Sequence, residues 1–268
     1  MPEVYLRGQG GLLDVAIHPE FKNNNLIYLT LASSLGDNPG GNTSLYQATL
    51  VGNNLEKISL LYKASPNTKK GQHFGSRIVF DDNNDLYFSI GDRGNRNVNP
   101  QNIKRDGGKI YRLYDDGSIP IDNPFVKDRY AKKAIYSYGH RNLQGIVVAN
   151  GFIYENEHGP MGGDELNIVE PAKNYGWPAI TYGKDYSGAM ISPFTQKEGM
   201  EQPVKYWVPS IAPSGMAFYN KDLFSSWKGN ILISALVPGD VRRLVIKIKN
   251  PRNLHHSFIT PSSLMIFV

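Results

Sequence analysis

The sequence predicts an all-β protein and, within that class, a β-propeller. First, short apolar stretches alternate with turns rich in glycine, proline, asparagine and aspartate. Second, no stretch shows helical spacing of apolar residues over several turns. Third, a strand–turn–strand pattern recurs at intervals of roughly 60–70 residues, as expected for a repeat architecture. Radial repetition hides most sheet edges, which favours a propeller. A β-sandwich is the competing fold, but it does not explain the long recurrence.

Each recurrence consists of an apolar strand, a polar turn and a second strand. The four predicted pairs are Leu12–Ile17 with Leu26–Ala32, Ile78–Phe80 with Leu86–Ile90, Ile146–Val148 with Phe152–Glu155, and Met216–Phe218 with Asn230–Ser234. Further short strands are predicted between them: Ser44–Leu50, Glu56–Tyr62, Lys109–Leu113, Glu165–Val169 and Val204–Trp207. Loops of successive blades converge on one mouth of a propeller, so we expect the chemistry in the polar loops that flank these pairs.

The composition excludes several classes of function. The net charge of +5 is modest, and the charged residues are scattered along the chain. The sequence has no basic run interleaved with aromatic residues, the pattern that would indicate nucleic-acid binding. The absence of cysteine excludes disulfides and thiolate metal sites. No apolar run is long enough to span a bilayer. The N-terminus lacks the pattern of a secretory signal, which predicts either a cytoplasmic protein or a mature or incomplete form of an exported one.

One predicted hairpin carries a histidine and an aspartate at the same end. His73 lies just before the strand Ile78–Phe80, and Asp92 lies just after Leu86–Ile90. If the strands pair, a histidine near a carboxylate is a candidate general base with its orienting partner. A surface histidine near a loop aspartate is the alternative that the spacing alone favours.

Three other loops offer weaker signals. Gln9 lies in a glycine-rich turn where the backbone can approach a ligand. Arg141 and Asn142 suit a planar anion, because a guanidinium binds carboxylates in pairs. The loop 157–165 contains carbonyl and carboxylate oxygens of the kind that Ca²⁺ prefers, although it does not match an EF-hand. An ordinary turn or a solvated arginine explains the first two equally well or better.

Several long segments together resemble the soluble aldose sugar dehydrogenases that use pyrroloquinoline quinone (PQQ), relatives of soluble quinoprotein glucose dehydrogenase. The resemblance extends from about Glu3 to Lys247. The segments are RGQGGLLDVAIHPEF, HFGSRIVFDDNNDLYFSIGDRG, GGKIYRLYDDGSIPIDNPF, IYSYGHRNLQGI, ENEHGPMGGDELNIVEPAKNYGWPAITYGKDYSG and PSGMAFYNKDLF.

The resemblance implies a six-bladed β-propeller with PQQ at the channel mouth. His73 matches the general base, and Asp92 matches the carboxylate that orients it. The implied reaction is oxidation of an aldose at C1 to a lactone, with hydride passing to the quinone while His73 takes the hydroxyl proton. The positions that match PQQ contacts or lie in the same site region are Gln9, Arg141, Asn142 and Tyr186.

Calcium is the second cofactor that the resemblance implies. Gly159 and Pro160 match the carbonyls that hold a catalytic Ca²⁺ against the quinone, and Glu165 and Tyr175 match a structural Ca²⁺ site. An external acceptor would reoxidise the reduced cofactor. The family is periplasmic or extracellular, and a monomer or a homodimer is expected.

The chain departs from the family pattern at both ends. We expect a single propeller domain over residues 1–249 that is incomplete at both ends relative to the family, and a divergent tail over 250–268. These departures predict weakened PQQ binding. Two other functions stay open at this point. One is a catalytically silent propeller that binds a partner. The other is a Ca²⁺-dependent lactonase, which would need several carboxylate and amide ligands, whereas the sequence offers mainly a carbonyl pair.

Overall fold

A computed structural model describes residues 2–36 and 38–246 of the chain. Its strands form four sheets, so the described part is all-β, with one four-residue α-helix at Phe21–Asn24 and a 3₁₀ turn at Ser225–Trp227. No helix within the described ranges has the length and apolar character needed to traverse a bilayer. The described residues separate into two compact units, one of residues 2–36 and 38–143 with Glu170–Pro178, the other of Gln144–Val169 with residues 179–246.

The first unit contains two four-stranded sheets whose strands follow chain order. The strands of the first sheet are β1 (Leu12–Ile17), β2 (Leu26–Ser33), β3 (Asn42–Val51) and β4 (Asn54–Lys63). The strands of the second sheet are β5 (Ile78–Phe80), β6 (Leu86–Ile90), β7 (Lys109–Leu113) and β8 (Ile135–Tyr138). All neighbouring strands in both sheets are antiparallel.

The second unit contains the other two sheets. The strands of the third sheet are β9 (Leu143–Ala149), β10 (Phe152–Glu157), β11 (Asp164–Val169) and β12 (Lys205–Trp207). The fourth sheet has three described strands: β13 (Pro213–Tyr219), β14 (Asn230–Ala235) and β15 (Asp240–Val245). Four-stranded sheets in chain order are the units from which propellers are built, while the blade count and ring closure stay predictions.

All four predicted strand pairs are neighbours in the described sheets. The predicted strands between them are also present, with ends that differ by no more than two residues. Two strands were not predicted: β8, which has only four residues, one of them serine, and β15, in which two arginines interrupt the apolar residues. The single domain over 1–249 stays a prediction, and the divergent tail over 250–268 lies outside the described residues.

An aromatic core joins the two sheets of the first unit. Tyr28 and Leu45 of the first sheet belong to the same buried cluster as Phe88 and Tyr111 of the second. The rings of Phe88 and Tyr111 stack with their centroids 4.8 Å apart. The cluster fixes the position of the β5–β6 hairpin, because Phe88 lies in β6 and is fully buried.

Two glycines allow the backbones at the open end of this hairpin to approach closely. Gly75 has a φ of +63°, and a Cβ at this position would lie 2.7 Å from the Gly91 nitrogen. A Cβ at Gly91 would lie 2.5 Å from the His73 carbonyl oxygen. A side chain at either position would push the two backbone segments apart. The glycines therefore allow residues 73 and 92 to come together.

We predict that Phe88→Ala lowers the free energy of unfolding by about 3–5 kcal/mol, because it removes a fully buried ring and leaves a cavity. Leu60→Ala in β4 is the control, since Leu60 is 45% exposed, and should change it by no more than about 0.5 kcal/mol. Urea unfolding followed by circular dichroism measures both. Equal losses in the two variants would contradict the assignment of the core.

Candidate functional site

His73 and Asp92 are in direct contact at the end of the β5–β6 hairpin. The His73 Nδ1 lies 2.7 Å from Oδ1 of Asp92. The same oxygen accepts a hydrogen bond of 2.7 Å from the Gly94 backbone N–H. The Asp92 side chain is 1% exposed and the imidazole is 15% exposed. The carboxylate is therefore enclosed by protein, while one edge of the imidazole reaches the surface.

The environment of Asp92 keeps its carboxyl ionised. Burial by itself raises the pKa, but hydrogen bonds from His73 and Trp177 and the charges of His73 and Arg141 outweigh it and lower the pKa below 3.8. Because an ionised carboxylate only accepts hydrogen bonds, Nδ1 of His73 carries the proton between the two residues. In neutral His73 the lone pair is then on Nε2, which leaves that atom able to accept a proton.

The backbone of His73 is held in an unusual conformation. Its φ is +54°, in the left-handed region that few residues other than glycine adopt. The His73 N–H donates to Oε1 of Gln9 at 2.7 Å, and its carbonyl accepts from the Arg93 N–H at 3.3 Å. Gln9 is thus in contact with His73, as a residue of a shared site would be.

Arg93, which the sequence analysis did not single out, clamps the segment that carries His73. Its guanidinium lies over the Phe74 ring, 3.3 Å from the centroid, and donates to the carbonyls of Lys70, Gln72 and Gly41. The side chain is fully buried, and burial lowers its pKa to about 10. Its position directly after Asp92 is the one sequence signal that could have indicated this role.

Arg141 and Asn142 lie next to the His73–Asp92 pair. The Arg141 carbonyl accepts a hydrogen bond of 2.7 Å from the Asp92 N–H. Both side chains are buried, with 5% and 3% exposed. Among the described residues, no donor reaches Oδ1 of Asn142, although the atom is buried. A Cβ on Gly91 would lie 3.0 Å from this oxygen, so the absence of a side chain at position 91 leaves space beside it.

Trp177 is a second site residue that no sequence motif indicates. Its Nε1–H donates to Oδ2 of Asp92 at 2.9 Å. The Arg141 guanidinium lies 5.4 Å from the centroid of the indole ring. Sequence spacing does not reveal this contact, because 85 residues separate Trp177 from Asp92.

These residues fit a planar anionic cofactor such as PQQ. Arg141 supplies a positive charge, and the unfilled acceptor of Asn142 requires a donor that the described protein residues do not provide. Gln9 contributes an exposed amide that contacts His73. The fourth predicted contact, Tyr186, lies in the second unit, on a loop where it is 71% exposed.

The Gly159–Pro160 turn of the second unit is tightly packed. The Gly159 N–H donates to Oδ1 of Asp164 at 2.8 Å. A Cβ at Gly159 would lie 2.2 Å from the Gly162 carbonyl oxygen, so only glycine fits there. Oδ2 of Asp164 accepts from Ser210, Ile211 and Ala212, which fixes the loop between β10 and β11. The turn is therefore rigid, and its part in calcium binding stays a prediction.

One face of the β10–β11 hairpin carries acidic and amide side chains. Glu155 pairs with Asn167 across the strands, and Glu157 pairs with Glu165, so all four share one face. Asn167 donates to Glu155 at 2.8 Å and to Glu165 at 3.3 Å. Burial raises the pKa of Glu165, and the hydrogen bond from Asn167 partly reverses this effect. The neighbouring Glu155 and Asp164 carboxyls raise the pKa further.

This face fits a hard cation such as Ca²⁺. Its carboxylate and amide oxygens are ligands that Ca²⁺ accepts, and Oδ1 of Asn167 is buried without a donor among the described residues. The cluster also corrects an expectation, because the sequence offered mainly a carbonyl pair as cation ligands and the strands bring further oxygens together. The strand predicted from the sequence, Phe152–Glu155, ends before Glu157, which the structure places in β10.

Tyr175 belongs to the first unit and is 3% exposed. Its ring stacks on His140 with a centroid distance of 4.5 Å. Its hydroxyl accepts a hydrogen bond of 2.9 Å from the Glu170 N–H. The side chain therefore packs within the first unit, and its proposed part in a structural calcium site stays a prediction.

Comparisons with known proteins agree on one family. A family model described as Glucose / Sorbosone dehydrogenase matches residues 1–261. Aldose sugar dehydrogenase YliI of Escherichia coli is 42% identical over 249 residues, covering 90% of this chain and 66% of that protein. Uncharacterized protein slr1608 of Synechocystis is 38% identical over 254 residues, covering 90% of this chain and 61% of the relative. The chain thus spans less than two thirds of the length of each of these relatives.

Solved structures of similar proteins have the same fold. The apo-form of the soluble aldose sugar dehydrogenase from Escherichia coli matches with a TM-score of 0.88 at 39% identity, covering 92% of this chain and 72% of that one. The PQQ-bound form of the aldose sugar dehydrogenase from Streptomyces coelicolor matches with a TM-score of 0.73 at 28% identity, covering 92% and 66%.

We predict that Asp92→Asn lowers the free energy of unfolding by about 1–3 kcal/mol at neutral pH, because the charged acceptor of several hydrogen bonds is lost. The pKa of Asp92 is lower in the folded protein, so its contribution is complete above pH 3.8 and decreases as the pH falls through the folded value. Urea unfolding of both proteins between pH 7 and pH 3 should show the difference narrowing at the acid end.

Asp222→Asn is the matched control for this measurement. Asp222 is 87% exposed and pairs with Lys228 at the surface, where an ion pair contributes at most about 1 kcal/mol. A stability difference between wild type and Asp92→Asn that widens as the pH falls would refute the assignment of a lowered pKa.

Proposed function

Because the chain belongs to the Glucose / Sorbosone dehydrogenase family, we propose that it takes part in the oxidation of an aldose sugar, with PQQ and Ca²⁺ as cofactors. One observation carries the proposal. The ionised Asp92 holds the Nδ1–H of His73, so Nε2 is the proton-accepting atom in a site that also contains the Arg141 guanidinium. Relatives that are named aldose sugar dehydrogenase and quinoprotein glucose dehydrogenase support the substrate class and the cofactor.

His73 is the proposed general base. Nε2 of the neutral imidazole accepts the proton of the sugar C1 hydroxyl as C1 loses hydride, and the sugar becomes a lactone. Asp92 holds the tautomer that this step needs and stabilises the imidazolium that forms. The step therefore requires His73 to be neutral before it and charged after it. PQQ, when bound, supplies the acceptor of the two electrons.

Binding of the cofactor is assigned to the residues around this pair. The positive charge of Arg141 would balance the negative charge of the PQQ carboxylates. Oδ1 of Asn142, which has no donor among the described residues, would accept a hydrogen bond from PQQ. Gln9 and Tyr186 are proposed as further contacts. An external electron acceptor is needed to complete each turnover, since the two electrons must leave the reduced cofactor.

Calcium is proposed at two places. The carbonyls of Gly159 and Pro160 would hold the ion that acts as a Lewis acid on the quinone. Glu165 and Tyr175 would belong to the structural site, and the support for Glu165 is the acidic face that it shares with Glu155, Glu157 and Asn167. A divalent cation on that face would relieve the repulsion that raises the pKa of Glu165.

A Ca²⁺-dependent lactonase is the second candidate, and the same acidic face favours it. The sequence offers few carboxylate and amide ligands close together, which disfavours a lactonase. The β10–β11 hairpin, however, brings such ligands onto one face. The His73–Asp92 pair and the family membership favour the dehydrogenase. Lactone hydrolysis that needs Ca²⁺ but not PQQ would select the lactonase instead.

The test is dye reduction by the purified chain with PQQ, Ca²⁺ and an aldose. We predict that His73→Ala lowers kcat by about 10²–10⁴, the usual contribution of a general base, while PQQ binding is retained. Arg141→Ala should instead weaken PQQ binding, because it removes the charge that faces the cofactor carboxylates. Fluorescence titration with PQQ measures binding independently of turnover.

Arg129→Ala is the control for charge. Arg129 is exposed in the same unit, so its removal changes the net charge equally without touching the site. Turnover that survives in His73→Ala at the wild-type rate would exclude the proposed base. Equal loss of PQQ affinity in Arg129→Ala and Arg141→Ala would exclude a specific role for Arg141.

We predict that Ca²⁺ raises the thermal unfolding temperature and that Glu165→Gln reduces this effect, because one carboxylate ligand of the acidic face is lost. Differential scanning fluorimetry with Ca²⁺ or with excess chelator measures the shift. Glu198→Gln is the control, since Glu198 is exposed in the same unit and should keep the full response. The same calcium shift in Glu165→Gln as in wild type would contradict the proposed site.

A further inference from the structure

The Trp177 indole connects two parts of the candidate site. Its Nε1–H donates to Oδ2 of Asp92 at 2.9 Å, while Oδ1 of the same carboxylate contacts His73 at 2.7 Å. The indole face lies 5.4 Å from the Arg141 guanidinium. One side chain therefore borders both the partner of the proposed base and the proposed anion-binding arginine.

The indole is itself held firmly. Trp177 is 5% exposed. Its backbone N–H donates to the Gly139 carbonyl at 2.8 Å, and its own carbonyl accepts from Nε2 of Gln101 at 2.9 Å. These bonds hold the main chain of Trp177, and burial of the ring limits the rotation that would turn the Nε1–H away from Asp92. A fixed donor of this kind needs no reorganisation when charge changes nearby.

A carboxylate can turn about its terminal torsion, which is broad and roughly two-fold. The Asp92 plane is defined only if both oxygens are held. His73 and Gly94 hold Oδ1, and Trp177 holds Oδ2. Without the indole donor, Oδ2 would be a buried anionic oxygen that has lost its hydrogen bond from Nε1, and rotation of the carboxylate would weaken its contact with Nδ1 of His73.

We propose that Trp177 is a positioning residue for His73, which acts by fixing the Asp92 carboxylate. The kinetic part of this inference rests on the proposed dehydrogenase function, whereas the structural part does not. Trp177→Phe is the informative variant, because it removes the Nε1–H donor and keeps an aromatic ring against Arg141. It should lower kcat about tenfold, the effect of losing one hydrogen bond to a charged acceptor, with the KM for the sugar and the PQQ affinity within about twofold.

A spectroscopic measurement tests the connection without any cofactor. In the ¹⁵N spectrum of the unliganded chain, His73→Gln should shift the Trp177 Nε1–H resonance, because the Asp92 carboxylate contacts both rings. Trp207 and Trp227 should show no such shift, and this arm does not require Trp177→Phe to fold.

The outcomes separate the two proposals. If wild type shows no turnover, the function fails, and a Trp177 resonance that follows His73 still supports the positioning role. A Trp177 resonance that is insensitive to His73 overturns it. Trp227→Phe, in the other unit, is the control. If Trp227→Phe lowers kcat as much as Trp177→Phe at an equal loss of stability, the role of Trp177 is merely structural and the positioning role is overturned.

Discussion

The hydrogen bond between His73 and Asp92 is the interaction on which the rest of the site depends. It requires a buried carboxylate that stays ionised, and the surrounding residues stabilise that charge. Donors from Gly94 and Trp177 and the charge of Arg141 compensate for the loss of water around Asp92. The same bond determines which nitrogen of His73 accepts a proton, so one contact joins the electrostatics of the hairpin to the proposed chemistry.

The backbone around this bond is also constrained. His73 has a positive φ. Gly75 and Gly91 allow the two backbone segments of the hairpin to lie closer than any side chain at these positions would permit. Arg93 binds the preceding carbonyls and stacks on Phe74, so the strained residue is held from both sides. Such conformations persist only where the surroundings enforce them, and they concentrate at functional sites. The aromatic core beneath β6 provides the rigid support for this arrangement.

The sequence predicts the local part of this picture as one of two alternatives. A short turn between two apolar strands places His73 and Asp92 at one end of a hairpin, because antiparallel pairing follows from alternation and turn residues. Trp177 could not be found this way, since its contact with Asp92 spans 85 residues. The acidic face was missed because it depends on the register of β10 and β11, which pairs Glu157 with Glu165.

The tautomer of His73 is the most direct test of this account. Nitrogen NMR of the histidine side chains in the unmodified chain at neutral pH, assigned with His73→Gln, distinguishes a protonated Nδ1 from a protonated Nε2. The account predicts that the neutral form of the imidazole carries its proton on Nδ1, bonded to Asp92, and a lone pair on Nε2. A neutral imidazole that carries its proton on Nε2 would contradict it, because His73 could not then accept the sugar proton at that atom.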